Sequence, residues 1–306
     1  MKTISLNLFF LLCLLPLLPA AAQDRPLVST LEIFDLETGT RTRVLEENDH
    51  FEAPNWGPDD RWLLINQHGK LVKVYLDDGR KEPFDTGFAD RCNNDHGISA
   101  DGKTVAFSHN LEGGPDGWLT SCIFTVPITG GTPTRVTSLT PSFWHGWSPD
   151  GGLLAYTALR DGNFDVYVTP VAGGIETRLT DDPGLDDGPT FAADGNHIFY
   201  NSVASGSMEI WRMHLDGSNK EQLTDDRYSN WFAQPSPDGR HFVFISYLTD
   251  QGDGHPAMKE VVLRLYDLRD HSVRVLCGFT GGQGSINVPS WSPDGKRFAF
   301  VSYRYQ

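Results

Sequence analysis

The sequence has 306 residues, a formal net charge of −15 and a hydrophobic content of 39%. This length suits one large all-β domain or two ordinary domains, with enough apolar residues to build a core. The acidic balance leaves no basic patch for phosphate groups, so a nucleic acid partner is excluded as a working hypothesis.

The first 22 residues have the pattern of a secretory signal peptide. Lys2 supplies a positive start, residues 6–18 are mostly apolar, and three alanines end at Ala22. The apolar stretch is too short to span a bilayer comfortably as an anchor, and no later segment has the composition of a membrane span. We therefore expect a signal peptide at 1–22 and a mature chain at 23–306, located in the periplasm or outside the cell.

Three cysteines remain in the expected mature chain, namely Cys92, Cys122 and Cys277. An oxidising compartment permits one disulfide, and the odd count leaves one thiol over. A Cys92–Cys122 bridge is one possibility. The alternative is a buried free thiol at Cys122, which lies in an apolar, strand-like run.

One turn phrase recurs six times and is clearest as Trp-Ser-Pro-Asp-Gly at 147–151 and 291–295. Pro fixes φ at the start of such a turn, Asp bonds to nearby backbone, and Gly accepts a positive φ. Each copy is followed by a short apolar run that is typical of a buried strand. The six turn aspartates are Asp59, Asp101, Asp150, Asp194, Asp238 and Asp294.

A second strand hairpin follows the first in each repeat, for example at residues 164–180. Four short strands in a unit of this length correspond to one propeller blade. Residues 31–45 form a second hairpin with no first hairpin before it, and residues 290–303 form a first hairpin with no second one after it. Joined in one blade, these ends would close the ring. The sequence thus predicts an all-β fold, a six-bladed β-propeller of four-stranded blades.

The turn phrase, together with residues 160–168, resembles the WD40-like or PD40 repeat of TolB-like propellers. The resemblance covers about residues 28–303 and extends in the last two units to exported bacterial TolB-like proteins. TolB itself carries an N-terminal α/β domain and a partner-binding segment that this sequence does not match. The resemblance therefore implies the propeller, and it does not imply the role of TolB in the Tol–Pal system.

The loops that lead into the first strand of each blade ring the mouth of the central channel, which is the default ligand site of a propeller. Seven residues before the six turn aspartates lie Glu52, Asn94, Phe143, Asp187, Trp231 and Asn287. This mixture of polar, acidic and aromatic side chains suits a small polar ligand, a sugar or a peptide terminus. The alternative is that these are ordinary polar loop residues.

His96 and His145 occupy equivalent positions in adjacent repeats, five residues before the turn aspartates. Two imidazoles so placed could share a metal or bracket a substrate. The alternative is an ordinary histidine at a packed strand start, where other repeats have Pro. The fifth repeat also carries a long loop at 248–258, which brings His255 to the same face, and such added length suggests a function.

These observations favour an exported, non-catalytic binding module that acts through the channel mouth without a cofactor, as a monomer. Its partner would be an envelope protein or a small polar ligand. No catalytic set is recognisable, and no Gly-X-Ser-X-Gly phrase occurs. The alternative is a carbohydrate-active enzyme that resembles oligogalacturonate lyases and has a histidine-based metal site. The candidate ligand-binding residues are Glu52, Asn94, His96, His145, Asp187, Trp231, His255 and Asn287.

Overall fold

The computed structural model describes residues 25–306, so the predicted signal peptide lies outside the described residues. The strands, in chain order, are β1 (Leu27–Asp35), β2 (Arg41–Glu47), β3 (Glu52–Trp56), β4 (Trp62–Gln67), β5 (Lys70–Tyr75), β6 (Lys81–Pro83), β7 (Cys92–Ile98), β8 (Thr104–Asn110), β9 (Ser121–Pro127), β10 (Thr134–Arg135), β11 (Ser142–Trp147), β12 (Leu153–Arg160), β13 (Asn163–Pro170), β14 (Thr177–Arg178), β15 (Asp186–Phe191), β16 (His197–Ser202), β17 (Glu209–His214), β18 (Glu221–Gln222), β19 (Ser229–Pro235), β20 (His241–Tyr247), β21 (Lys259–Asp267), β22 (Val273–Gly281) and β23 (Arg297–Tyr305). A 3₁₀ helix at Gly117–Thr120 interrupts this pattern. Within the described range, no helix has the length and apolar character needed to span a membrane.

The strands form six antiparallel sheets, which are the six blades of a propeller. Five sheets have four strands each, in the orders β3-β4-β5-β6, β7-β8-β9-β10, β11-β12-β13-β14, β15-β16-β17-β18 and β19-β20-β21-β22. The sixth sheet has the order β2-β1-β23 and joins both ends of the described chain. The predicted all-β, six-bladed architecture is confirmed.

The ring closes through β1 and β23, which pair antiparallel from Leu27 opposite Tyr305 to Asp35 opposite Arg297. The pairing satisfies the backbone groups along this seam and leaves neither end of the ring open there. The predicted closure between the N-terminal strands and the C-terminal hairpin is confirmed.

The closing blade differs from the others at its innermost position, where a single bridge joins Trp291 and Phe298. Beyond this bridge, Ala299 N donates a hydrogen bond to Ser290 O at 2.9 Å. The preceding residues stay outside a regular ladder, and Pro289 among them has no N–H to donate. The innermost strand of this blade is therefore reduced to a single bridge, and it is shorter than the sequence predicted.

The recurring turn phrase links neighbouring blades. Ser148 Oγ donates to Asp150 Oδ1 at 2.6 Å and accepts from Leu153 N at 2.8 Å, which closes the turn. Trp147 Nε1 donates to Gly97 O of the preceding blade at 3.0 Å. The phrase is thus a scaffold element at the end of each inner strand, on the face opposite the channel mouth.

Aromatic side chains fill the space between blades. Trp144 and Trp231, on the inner strands β11 and β19, are both fully buried. Gly97 permits the closest of these contacts, because a Cβ at this position would lie 2.1 Å from the Trp144 ring. Burial of such large rings between blades contributes much of the hydrophobic stabilisation.

Each inner strand of the five four-stranded blades contains a β-bulge ahead of its turn. The register shifts fall between Glu52 and Asn55, Cys92 and His96, Trp144 and Gly146, Asp187 and Thr190, and Trp231 and Gln234. Side chains of the preceding blade accept from N–H groups in these bulges. Ser108 Oγ accepts from Trp144 N at 2.7 Å, and Asn201 Oδ1 accepts from Phe232 N at 2.9 Å. Because a bulge interrupts the alternation of side chains, it redirects residues toward the channel.

The considered Cys92–Cys122 disulfide is absent, since both cysteines are free and buried. Cys92 on β7 and Cys122 on β9 both pair with His109, from opposite sides of β8. Two strand spacings amount to about 10 Å, which exceeds the Cα separation that a disulfide allows. Burial also raises the pKa of the Cys92 thiol to about 12, so this thiol is protonated and unreactive.

Candidate functional site

A cavity of about 570 Å³ lies at the channel mouth, where the inner strands begin. This volume is in the range of small-molecule sites. Its titratable lining residues are Asp95, His145, Asp187, Asp253 and His255. Its neutral polar residues are Asn93, Asn94, Thr157, Gln283 and Asn287, and its apolar residues are Trp118, Phe143, Phe164, Leu185 and Phe232.

Asp187 joins two imidazoles in this cavity. His145 Nε2 lies 3.3 Å from Asp187 Oδ1, and His255 Nε2 lies 3.6 Å from Asp187 Oδ2. Thr157 Oγ1 donates to Asp187 Oδ1 at 2.7 Å. Burial opposes the charge of Asp187, but the imidazoles of His145 and His255 outweigh it and hold the pKa of Asp187 well below its usual range. Asp187 is therefore an ionised carboxylate that anchors both rings.

Asp95 places a second carboxyl group close to this cluster. It is 5% exposed, and its Oδ2 accepts a hydrogen bond from Asn93 Nδ2 at 2.7 Å. Burial raises the pKa of Asp95 to about 6, with His145 opposing the shift and Asp187 adding to it. Burial in turn lowers the pKa of His145, but Asp95 and Asp187 outweigh it, so the net shift is upward. The cluster thus combines two carboxyl groups with an imidazole whose charged form they stabilise.

An aromatic wall bounds another side of the cavity. The Trp118 ring lies beside the Phe143 and Phe164 rings, with centroid separations of 6.5 and 6.4 Å and interplanar angles of 27° and 29°. Trp118 is also 43% exposed, although the indole is a large apolar surface. An exposed ring in a stacked wall offers a face on which a ligand ring or aliphatic chain can pack.

A second aromatic group supports the imidazoles. The His255 ring contacts Trp231 at a centroid separation of 4.5 Å and Phe232 at 5.2 Å, and His145 stacks on Phe232 at 6.2 Å. Phe232 adopts φ of +55°, the left-handed region that a bulky residue rarely occupies. Such backbone strain clusters at functional sites, where surrounding structure holds it in place.

Five of the eight predicted site residues line the cavity together: Asn94, His145, Asp187, His255 and Asn287. The other three, Glu52, His96 and Trp231, do not line it. Asn94 Nδ2 and His145 Nδ1 are buried and have no hydrogen-bond partner among the described residues. Two buried polar atoms of the cavity residues are thus left unsatisfied within the described part of the chain.

His96 lies outside the cavity although His145 occupies the equivalent sequence position. In β11 the bulge leaves His145 unpaired, between Trp144 and Gly146. In β7 the bulge ends one step earlier, so His96 pairs with Phe107 in the regular ladder. Its side chain then points into the protein, where His96 Nε2 lies 3.2 Å from Leu64 O. The structure therefore separates the two histidines that the sequence suggested might act together.

Trp231 and Glu52 lie behind the cavity lining. Trp231 is fully buried and packs against the His255 ring. Glu52 lies under the loop that contains Gly284, where Ala53 N donates to Gly284 O at 2.7 Å. Burial, and the charge of Asp95 after it, raise the pKa of Glu52 to about 8. Both residues thus pack behind the lining residues and do not line the cavity themselves.

The sequence interpretation missed Asp95, Phe232 and Trp118. Asp95 and Phe232 lie six residues before a turn aspartate, a position that strict strand alternation would direct away from the channel. The bulges overturn this alternation. Trp118 lies within the long connection between β8 and β9, and the extra repeat length at that point was the available signal.

The cavity residues are not arranged as a metal site. Within residues 25–306, no group of three or more His, Cys, Asp and Glu side chains is placed to hold a metal ion. The Nε2 atoms of His145 and His255 both face Asp187, and His96 belongs to a different environment. The carboxyl and imidazole groups of the lining can instead pair with a charged ligand and exchange protons.

Sequence and structure comparisons agree on one family. The PD40 family, described as the TolB beta propeller domain, matches residues 141–276. An uncharacterized protein of Agrobacterium fabrum is 46% identical over 276 residues, which make up 90% of this chain and 92% of the relative. A solved structure from Agrobacterium tumefaciens, provisionally assigned as TolB, is 45% identical with a TM-score of 0.86, over 91% of this chain and 99% of that chain.

The structure of TolB from Acinetobacter baumannii is also similar, with 18% identity and a TM-score of 0.63. The match covers 90% of this chain and 66% of that one. At this identity the likeness concerns the fold alone. The identity and coverage of the Agrobacterium relatives are much higher, and the chain belongs to the TolB-like β-propeller family.

Proposed function

We propose that this chain is an exported binding module of the bacterial envelope that takes a small polar ligand into the channel-mouth cavity. The observation that carries the proposal is the convergence of His145, Asp187 and His255 from three separate segments. His255 comes from the long loop at 248–258, which folds over the mouth. The long loop is not needed to build a blade, so its position beside the cluster favours a ligand site.

The size of the cavity favours a small ligand over a folded partner. A volume of about 570 Å³ admits a drug-sized molecule or a few residues of extended chain. An envelope protein would reach the cluster around Asp187 only through a terminus or a protruding side chain.

The charge of the lining does not favour the lyase hypothesis. Oligogalacturonate is a polyanion, and it would meet the carboxyl groups of Asp95, Asp187 and Asp253. No Lys or Arg lines the cavity in the described part of the chain. Like charges without compensating cations oppose binding, so the geometry supports a binding module better than this enzyme.

Export is supported by the signal-peptide pattern of residues 1–22. Expression of the full chain in a Gram-negative host, followed by fractionation and N-terminal sequencing, tests it. We expect a periplasmic protein that begins near Gln23. A cytosolic protein that retains the first 22 residues would refute export.

Ligand binding is tested with Trp118→Ala, because Trp118 is an exposed part of the aromatic wall. The mature protein is mixed with the low-molecular-weight fraction of a periplasmic extract, and its thermal unfolding is measured. We expect a stabilising shift for the wild type and a smaller one for Trp118→Ala. Leu119→Ala is the matched control, since Leu119 is 37% exposed and does not line the cavity. Equal shifts in both variants, or no shift in the wild type, would refute the proposed site.

A further inference from the structure

We infer that the ligand carries a positively charged ammonium group that pairs with Asp95 while the rest of the ligand packs on the Trp118 wall. The inference rests on the proposed function and specifies the chemical class of its ligand. It concerns organic cations in general, whether the ammonium belongs to a quaternary amine or to an amino sugar.

The fixed charges of the cavity are unbalanced. Asp95, Asp187 and Asp253 supply three carboxyl groups, whereas His145 and His255 are the only titratable bases that the described residues contribute to the lining. Three carboxylates outnumber two imidazoles, so the cavity is net negative even when both imidazoles carry a proton. A focused negative potential in a cleft attracts cations and raises their local concentration.

The two buried carboxylates differ in how far the protein itself satisfies them. Asp187 accepts hydrogen bonds from Thr157 Oγ1 and from its own neighbour Gly188 N, and it faces both imidazoles. Asp95 accepts one side-chain hydrogen bond, from Asn93 to Oδ2, within the described residues. Asp95 therefore retains acceptor capacity toward the cavity, and a ligand ammonium group can pair with it, by an N–H donor in an amino sugar or by charge alone in a quaternary amine.

A buried carboxylate with spare acceptor capacity is unfavourable in the empty site. Desolvation disfavours its charge, and the raised pKa of Asp95 reflects this. A cation bound beside it reverses the effect, because an opposite charge stabilises the ionised form. Ligand charge and site charge are thus complementary, whereas a neutral ligand would leave the carboxylate uncompensated.

The aromatic wall fits the same class of ligand. The faces of Trp, Phe and Tyr rings carry negative electrostatic potential and attract ammonium groups, with Trp the most effective. Trp118 presents an exposed indole next to Phe143 and Phe164. A ligand with an ammonium group on an apolar or ring-shaped body can therefore contact the carboxylate and the wall at once.

The test compares ligands of equal shape and different charge by calorimetric titration of the mature protein. Choline is paired with its uncharged carbon analogue, and glucosamine is paired with glucose. Galacturonate serves as the anionic probe. We expect at least one cationic member to bind, its neutral partner to bind at least about tenfold more weakly, and galacturonate not to bind.

The Asp95→Asn variant then tests the assignment of the carboxylate. We expect it to weaken the cationic probe by about tenfold or more and to leave the neutral partner unchanged. Asp90→Asn removes an equal charge from an exposed residue outside the lining and should have no effect. A choline response without a glucosamine response, or the reverse, identifies which source of the ammonium group the site accepts.

Other results overturn the inference. Equal binding of charged and neutral partners, preferential binding of galacturonate, or no binding by any cation would each do so. The proposed function fails separately, when a periplasmic extract produces no shift that depends on Trp118. A positive extract result together with a negative cation panel would therefore retain the site and reject the ammonium ligand.

Discussion

His255 Nε2 lies 3.6 Å from Asp187 Oδ2, although the two residues belong to adjacent blades. Asp187 is held in place by β15, whereas His255 is carried by the loop between β20 and β21. Long surface loops are generally more mobile than strands, and this contact attaches such a loop to a strand. Because the partners meet inside the cavity, the same contact shapes the ligand site.

Removal of this contact should loosen the loop at 248–258. We expect the loop of His255→Ala to become sensitive to limited proteolysis, because the variant lacks the imidazole that contacts Asp187 and Trp231. We also expect the variant to lose ligand affinity. The free energy of unfolding should change by about 1 kcal/mol or less, because the loop lies outside the core. His214→Ala, an exposed histidine on another blade, is the control. Unchanged proteolysis of His255→Ala would contradict this role.

Glu52 predicts a pH dependence of stability. Burial raises its pKa from 4.5 to about 8 in the folded state. Between these values the folded protein binds a proton that the unfolded chain has released, so stability falls as pH rises from about 5 toward 8. The contribution of Glu52 is full below pH 4.5 and is lost through pH 8.

The Glu52→Gln variant removes this titration and keeps the shape of the side chain. We expect the free energy of unfolding of the variant, relative to that of the wild type, to increase by up to a few kcal/mol between about pH 5 and pH 8. Urea denaturation at both pH values measures the difference. Glu112→Gln, at an exposed position, should follow the wild type. A parallel response of Glu52→Gln and wild type would show that Glu52 is ionised throughout.

His96 and His145 should respond differently to the same substitution. His96 is fully buried, and burial lowers its pKa to about 4, so it is neutral at pH 7. We expect His96→Gln to lower the free energy of unfolding by ~1–3 kcal/mol, because its contact with Leu64 O is lost or distorted, without a change in ligand affinity. His145→Gln should instead change ligand affinity, because His145 lines the cavity. A loss of binding in His96→Gln with unaltered stability would contradict this distinction.

Binding of a cationic probe should strengthen as pH rises from about 5 to 7. The pKa of Asp95 is raised to about 6, so its ionised fraction increases about tenfold across this range. Deprotonation of His145, whose pKa is also raised, acts in the same direction because it makes the cavity more negative. The titratable groups facing Asp95 are His145, Asp187, His255, Asp253 and Glu52.

Calorimetric titration with choline or glucosamine at several pH values measures this dependence. Asp95→Asn should abolish most of it. If affinity is constant from pH 5 to 7, or if Asp95→Asn keeps the wild-type profile, Asp95 does not carry the interaction.

Much of the fold was predictable because the same turn phrase and strand hairpins recur along the sequence. Six turn aspartates fixed the number of blades, and the unmatched hairpins at 31–45 and 290–303 indicated how the ring closes. The alignment on those aspartates also selected residues such as Asn94 and Asp187 that do line the cavity.

The remaining site could not be predicted from spacing, because it depends on bulges whose length differs between blades. A longer bulge in β7 exposes Asp95 to the cavity and returns His96 to the ladder, whereas the bulge in β11 frees His145. Partners from neighbouring blades, such as Asn201 beneath Phe232, help to set these bulges. Such contacts join residues that are distant in sequence, so a single repeat does not reveal them.

Hydrogen–deuterium exchange with and without a periplasmic small-molecule extract tests the central claim most directly, since it locates a ligand before its identity is known. We expect slower exchange at Gly117–Thr120, at the bulges of β7 and β15, and in the loop at 248–258. The Asp-Gly turns on the opposite face should be unaffected. Protection confined to those turns, or no protection at the channel mouth when the extract stabilises the protein, would contradict it.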